Sequence, residues 1–480
     1  VNLAGFCSLL PEALVIALMF VVFAADLFLP SIKKRLGGLT AWGLTAILAC
    51  LLWQGFLAGG QKFGETFQGT FLCDPMALFF KALFILTGII VVILAREFLK
   101  KADKNPGEFY LLILSALLGM LFLASANDFI LLFVSVELVT VSFYVMTAYL
   151  KTDQRSVEAG IKYLILGALS SGMMLYGISF IYGHTGSTHF DAVRGALFGM
   201  TSAPPLLLLG ILLLIAGLGF KAGAVPFQLW IPDVYEGAPI PVTAFLSVGS
   251  KMAGFAALLR ICVSVIAPFD KKWALLMAVI AAMTLVYGNL GAIPQKNIKR
   301  FFGYSGIGHA GYLLTAIAAG GFSGARGVLF YLLSYAVTML AAFLVVVYCS
   351  VHLESDDMSA YDGLSRRSPL LAGALFLSLL SLAGVPPLSG FFAKFLVLSS
   401  AVEKGLIWLA VLGALNVVIS LYYYLTLVKR MYIHPPAGGV IAVPLSFQIP
   451  LYLLMLGIVG IGVVQGPFVR LAASAVSGFF

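Results

Sequence analysis

Charge is scarce in this sequence. Only 10% of its 480 residues are Asp, Glu, Lys or Arg, while 61% are hydrophobic. Soluble domains carry roughly 25% charged residues, so a water-exposed globule of this size could not cover its surface. Cysteine is also scarce. Cys7, Cys50, Cys73, Cys262 and Cys349 are scattered and form no CxxC pair, which removes the usual spacing of an iron–sulfur or zinc site. No GxGxxG follows a strand-like run, so no nucleotide-binding loop is expected. No basic segment precedes the first apolar run, Leu9–Leu29, which is longer than a signal-peptide core and is expected to be a retained span. The net charge of +9 does not point to nucleic acid, because the Lys and Arg residues fall mostly in short loops between apolar runs.

What is abundant is apolar sequence in runs of about 20 residues, each long enough to cross a hydrocarbon core. About 14 such spans are expected, which makes the chain an all-α polytopic membrane protein. The fifth is Phe129–Leu150, the sixth Gly160–Tyr182, the seventh Leu206–Phe227, the eighth Val242–Ile266, the tenth Phe302–Ala319 and the twelfth Leu370–Leu398. Loops after odd-numbered spans hold most of the cations, among them Lys33, Lys34, Arg35, Arg96, Lys100, Lys101, Lys104, Lys151, Arg155, Lys299 and Arg300. Loops after even-numbered spans hold few, chiefly Lys62, Arg194, Lys271, Lys272, Arg326 and Lys404. The odd loops should therefore face the cytoplasm and both termini the opposite side.

Two spans are interrupted by glycine and proline. The seventh contains GLGFKAGAVPFQLWIP and the twelfth SLAGVPPLSGFFAKF. Paired interruptions in two halves of a transporter suggest broken helices at its binding site. A weak echo between the starts of spans six (GIKYLILG) and eleven (GVLFYLLS) agrees with an internal repeat. Two kinked helices of separate origin would look the same, and the lysine precedes the proline in one break and follows it in the other.

A charge deep in a bilayer costs at least about 2.5–3.5 kcal/mol on insertion scales, so each one asks for a reason. Glu137 stands mid-span in the fifth helix. Lys162 lies near the start of the sixth, and Lys221, Lys251 and Lys394 lie inside the seventh, eighth and twelfth. Depth makes snorkelling costly for Glu137, Lys221, Lys251 and Lys394, which favours function. Lys162 could snorkel or pair with Glu137 on the adjacent helix. Lys81 is expected to snorkel to the interface as a structural residue, and Glu12 and Asp26, near the ends of the first span, are likewise expected to be structural. His309, flanked by Tyr304, Ser305 and Tyr312, is either a titrating link between half-channels or a hydrogen-bonded structural histidine. Lysine suits proton transfer because burial disfavours its charged form and a nearby carboxylate restores it. Water held at a helix break can then carry the proton onward, without metal or nucleophile.

These residues sit in recognisable motifs. GFKAGAVPFQLWIPDVYEGAPIPVTAFLSVGSKMAGFAALLR runs from Gly219 to Arg260, and ANDFILLFVSVEL, NIKRFFGYSGIGHAGY and GVPPLSGFFAKF accompany it. Over nearly its whole length the chain resembles the antiporter-like membrane subunits of the NADH–quinone oxidoreductase (complex I) family, the subunit N group above all. The resemblance implies 14 helices with two inverted five-helix repeats and broken helices 7 and 12. It also implies an N-terminal region 1–108, repeats 109–266 and 267–431, and a terminal helix within 432–480. It implies a proton relay of Glu137, Lys162, Lys221, Lys251, His309 and Lys394, with Glu137 and Lys162 as the coupling pair and Lys394 at the exit. Lysine at the last position fits subunit N, where subunit M has a glutamate.

The function implied is proton translocation as a non-redox subunit of an NADH–quinone oxidoreductase. No cofactor is expected in this subunit. NADH, FMN, iron–sulfur clusters and quinone would belong to partners, with subunits of the K and M type as neighbours, together with lipid, protons and buried water. A bacterial-type inner membrane is the expected location, or an organellar inner or thylakoid membrane outside bacteria. A free-standing cation/proton antiporter of the same fold is the alternative, and a purely structural membrane subunit is disfavoured by the buried lysines. The loop charges give a direct test of orientation. A cysteine placed at Lys151 should react with a membrane-impermeant maleimide only in inside-out vesicles, and one at Arg194 only in right-side-out vesicles. The reverse pattern, or labelling of both from one side, refutes the topology.

Overall fold

A computed structural model describes residues 8–58, 65–102, 106–198, 204–266, 270–436 and 438–480. Cys7, Lys62 and Lys104 lie outside the described residues, as do the side chains of Lys271 and Lys272. The long helices are α1 (Leu10–Phe28), α2 (Leu36–Ala58), α3 (Pro75–Ala102), α4 (Pro106–Ala124), α5 (Phe129–Thr147) and α6 (Gln154–Thr185). A short α7 (Phe190–Leu197) precedes α8 (Pro205–Ala222) and α9 (Trp230–Gly237). Then come α10 (Ile240–Ile266), α11 (Asp270–Ala292), α12 (Ile298–Ala319) and α13 (Gly321–Leu353). The chain finishes with α14 (Pro369–Ala383), α15 (Ser389–Glu403), α16 (Ile407–Ile433), α17 (Leu445–Val463) and α18 (Gln465–Val476).

Among the described residues, twelve helices are long and apolar enough to cross a membrane. Two further crossings complete the 14 expected: α12, which opens with Lys299 and Arg300, and the broken pair α14 and α15, of 15 residues each. The sixth span begins earlier than its apolar run suggests, at Gln154, so Lys162 stands in its third turn rather than its first. Alternation of the loops between two faces is visible in their contacts. One cleft collects Lys101, Asp153, Glu236, Asn297 and Asp357, all from loops or helix ends that follow odd-numbered spans. On the other face Phe71 bridges to Ala126 and Asp128 to His189, joining the ends of even-numbered crossings. A two-stranded hairpin, β1 (Glu65–Thr66) with β2 (Phe71–Leu72), sits there.

The apolar window of α10 is entirely buried in the bundle and that of α13 is 94% buried, against 28% for α1. A helix apolar on all sides belongs in the middle, and α10 and α13 are the two central rods. Small residues let other helices close in, as is usual between membrane helices. A Cβ on Gly288 of α11 would meet the Gly308 nitrogen of α12 at 2.2 Å, and one on Gly177 of α6 would meet the Gly210 oxygen of α8 at 2.5 Å.

Two buried ion pairs brace α3, one against α10 and one against α1. Arg260, 1% exposed on α10, donates to both Asp74 oxygens at 2.6 and 3.0 Å and to the Ala124 carbonyl at 2.7 Å. Asp74 in turn accepts from the Ala77 nitrogen at the start of α3 (2.7 Å). The second pair overturns an expectation. Lys81 does not snorkel: its ammonium is fully buried and lies 2.8 Å from Glu12, itself 1% exposed, with the Phe71 ring 4.8 Å away. The cause is tertiary, since α1 delivers a carboxylate to the wall of α3 and a paired lysine has no need to reach the interface. Glu12, given the same expectation, is buried with Lys81. Asp26 pairs with Lys33 at 3.6 Å.

Lys81→Ala should consequently be costly. Removing one partner of a buried pair costs about 3–5 kcal/mol because the other charge is stranded. The variant should melt well below wild type in detergent, and Lys81→Met combined with Glu12→Gln should recover most of the loss. An unchanged melting temperature for Lys81→Ala would show that the pair contributes nothing.

Candidate functional site

The two interrupted spans break in the same way. In α8 the last turn is closed by Gly223 in a left-handed conformation (φ 78°), and the Ala224 nitrogen donates back to the Gly219 carbonyl at 2.8 Å. In α14, Gly384 (φ 88°) does the same, with the Val385 nitrogen donating to Leu380 at 3.0 Å. This is the Schellman cap, which needs a residue without Cβ at its turn. Pro226, and Pro386 with Pro387, then prevent the helix from resuming at once. The chain restarts as α9 at Trp230 and as α15 at Ser389.

Each break leaves carbonyls unpaired at the end of its first half, and each second half reaches back to one of them. The Trp230 indole donates to the Phe220 oxygen at 3.1 Å. The Lys394 ammonium donates to the Ala383 oxygen at 3.0 Å and to Ser420 Oγ at 3.3 Å. The two caps differ in place: Trp230 reaches the carbonyl three residues before Gly223, and Lys394 the carbonyl one residue before Gly384. Lys221, on the last turn of α8, is free to point sideways, where it donates to Thr140 Oγ1 on α5 at 2.6 Å.

Lys221, Lys251 and Lys394 are 7%, 3% and 4% exposed, and His309 is 5% exposed. Lys251 follows a π-helical turn, Leu246–Ser250, in the centre of α10. Such turns loosen the backbone ladder and are frequent at functional sites. Its ammonium donates to the Gly306 carbonyl of α12 at 2.7 Å and to Tyr335 Oη of α13 at 3.1 Å. His309, one turn beyond Gly306, has Tyr331 Oη 2.6 Å from Nδ1 and Tyr424 Oη 3.1 Å from Nε2. Tyr424 continues to Ser305 Oγ at 2.5 Å. Two cavities of about 10 Å³ each touch these groups. One is lined by Thr140, Lys221, Ser250 and Gly254, and the other by His309, Tyr331, Tyr335, Ser381 and Lys394. Each offers about the space one water needs among polar groups.

Glu137 and Lys162 do not pair with each other. Glu137 accepts a hydrogen bond from Ser171 Oγ, whereas Lys162 lies 2.8 Å from Glu158 and 3.0 Å from Asp233 of α9. Helix register separates them. The Ser156 hydroxyl donates to the Thr147 carbonyl at 2.7 Å, which sets α6 against the end of α5. At 1.5 Å per residue, ten residues back to Glu137 and six forward to Lys162 leave a vertical offset of about 6 Å. Asp233 also holds Arg300 of α12 at 2.7 Å, and Glu236 holds the same guanidinium at 3.0 Å. Lys162 thus belongs to an ionic cluster that ties α6 to α9 and, through Asp233, to α12.

Sequence reasoning missed Thr140, Asp233, Arg260, Tyr331, Tyr335 and Tyr424. Asp233 and Glu236 lie within the PDVYEGAP stretch, so a search for acids beside the break could have found them. The tyrosines carry no such signal, because an aromatic residue in an apolar run is at home in any core.

Known proteins resemble this chain over most of its length. The family model described as NADH:quinone oxidoreductase/Mrp antiporter, transmembrane, matches residues 126–420. The NADH-quinone oxidoreductase subunit N of Desulfitobacterium hafniense is 40% identical over 98% of both chains. A chain of respiratory complex I from Thermus thermophilus with bound aureothin is 33% identical, covers 96% of this chain and 99% of its own length, and superposes with a TM-score of 0.82. A chain of the Mrp complex from Dietzia sp. DQ12-45-1b covers 100% of this chain and 98% of its own length with a TM-score of 0.85, but at 20% identity it shows the shared fold alone. With relatives matched end to end and the motif-bearing helices inside the matched region, the chain belongs to the NADH:quinone oxidoreductase/Mrp antiporter transmembrane family, in its subunit N branch.

Proposed function

We propose that this chain moves protons across the membrane as an antiporter-like subunit of an NADH–quinone oxidoreductase, through a relay of Lys221, Lys251, His309 and Lys394. The observation that carries this reading is the set of three buried lysines on three different spans, each bonded to a hydroxyl or carbonyl oxygen, none held in an ion pair among the described residues. A structural lysine at such depth is stabilised by a fixed counter-charge, as Lys81 is by Glu12. A carrier needs neutral oxygens that tolerate both its protonated and its deprotonated form.

In this reading 109–266 and 267–431 act as the two repeats. The cleft of about 510 Å³ that reaches Glu236, Lys299 and Asp356 admits water from the odd-loop face. Lys221 takes up a proton near the break of α8. Tyr335 and the Gly306 carbonyl hold Lys251, and Tyr331 and Tyr424 hold His309 on the way to Lys394. Glu137 and Lys162 are partly exposed on the outer side of α5 and α6, beside the exposed Ile161, Ile165 and Leu169. There they face a neighbouring membrane subunit, of the K or M type, whose conformational change alters the field on Lys221. Redox chemistry belongs to partners that hold NADH, FMN, iron–sulfur clusters and quinone. The loop charges support a placement of both termini on the outer side of a bacterial-type inner membrane, or of an organellar inner or thylakoid membrane outside bacteria.

Lys221→Met keeps an unbranched side chain and removes the titratable group. It should assemble, yet proton uptake by vesicles and quinone reduction should fall together to roughly a tenth or less, since each carrier in a series chain is obligatory. Lys221→Arg should fail as well, because arginine keeps its proton at any accessible pH. Normal pumping by Lys221→Met would remove Lys221 from the path, and full rescue by arginine would make it a fixed charge.

The antiporter alternative differs in company. Gentle extraction of the tagged chain should bring down flavin- and iron–sulfur-containing subunits. A stable lone transporter that exchanges cations for protons would overturn the assignment to a redox complex.

A further inference from the structure

Outside the relay, the N-terminal helices carry a feature that proton transfer does not use. A crevice of about 820 Å³ opens between α1 and α2. Its walls are Val21, Ala24, Phe28 and Leu29 of α1 and its end, and Leu39 of α2, while Lys34, Arg35 and Arg96 line its mouth. Val21 and Phe28 are 51% and 72% exposed. The cations arrive from two separate stretches, yet each follows directly on an apolar run. Lys34 and Arg35 come just after α1 ends at Phe28, and Arg96 comes just after the run 82–95 of α3. Both runs end at the mouth, which puts all three charges where the hydrocarbon stops and headgroups begin.

Lys33, their neighbour, is neutralised by Asp26 at 3.6 Å. Lys34, Arg35 and Arg96 form no ion pair among the described residues. Gly38 lines the crevice and faces open space: a Cβ there would meet nothing within 4 Å. An apolar slot of membrane depth that ends in three unpaired cations fits a molecule with an acyl chain at one end and an anion at the other. We propose that this crevice binds an anionic phospholipid, its acyl chain along Val21, Phe28 and Leu39 and its phosphate against Lys34, Arg35 and Arg96. Basic pockets beside membrane helices recognise such headgroups. Charge complementarity selects this occupant over a neutral lipid, and the apolar walls select it over free phosphate.

The test uses the assembled complex in phosphatidylcholine vesicles containing a small fraction of phosphatidylglycerol with a photoreactive acyl chain. Cross-links are mapped by mass spectrometry. Labelling should concentrate on residues 21–39 and be competed by unlabelled phosphatidylglycerol but not by phosphatidylcholine or inorganic phosphate. Replacing Lys34, Arg35 and Arg96 together by Gln should weaken phosphatidylglycerol competition roughly a hundredfold. Gly38→Trp, which fills the slot and keeps every charge, should abolish labelling of this segment with quinone reduction unchanged. Labelling spread evenly over other exposed faces, or a triple variant that competes like wild type, would overturn the proposal. So would a crevice that stays unlabelled in the complex because an acidic segment of a partner subunit fills it.

Discussion

An ammonium group held away from water inside an apolar bundle must sit against oxygen atoms, because an unsolvated charge there is prohibitively costly. Regular helices offer few such oxygens, since their carbonyls are spent on their own ladders. This protein supplies them from a helix break, from hydroxyl side chains and from a carbonyl exposed beside a glycine. The break of α14 releases the Ala383 carbonyl for Lys394. A π-helical turn precedes Lys251, and the glycine-rich face of α12 leaves Gly306 bare enough for that lysine to reach its carbonyl. The break of α8 lets Lys221 turn to a threonine hydroxyl. Helix geometry and lysine chemistry are therefore one constraint, and the Gly and Pro residues at the breaks serve the charges.

Two kinds of buried cation coexist and differ in what faces them. Lys81 and Arg260 are matched to carboxylates and brace α3 against α1 and α10. Lys221, Lys251 and Lys394 are matched to neutral oxygens. A fixed counter-charge holds a proton in place, whereas neutral donors and acceptors leave it free to leave and return. The same distinction separates Lys162, held by Glu158 and Asp233 at the edge of the bundle, from the three inner lysines. Asp233 holds both Lys162 and Arg300, which joins α6 to α9 and α12 through one carboxylate.

Much of this was legible in the residues alone. Fourteen crossings, the two breaks and the depth of Glu137, Lys221, Lys251, His309 and Lys394 follow from apolar run length, from Gly and Pro placement, and from charge set inside those runs. These are properties of one helix at a time, and hydrophobic patterning with backbone restriction acts locally. Tertiary structure decided the partners. That Lys81 meets Glu12 and does not reach the interface, that Arg260 grips Asp74, and that Glu137 and Lys162 are set apart by about 6 Å along the helix axes all depend on the register and rotation of one helix against another. So does the choice of Tyr331, Tyr335 and Tyr424 from among many aromatics. An ion pair needs atoms within about 4 Å, a tolerance far finer than the drift that sequence periodicity allows, so only the packed bundle could determine which buried charges meet a carboxylate and which meet neutral oxygens.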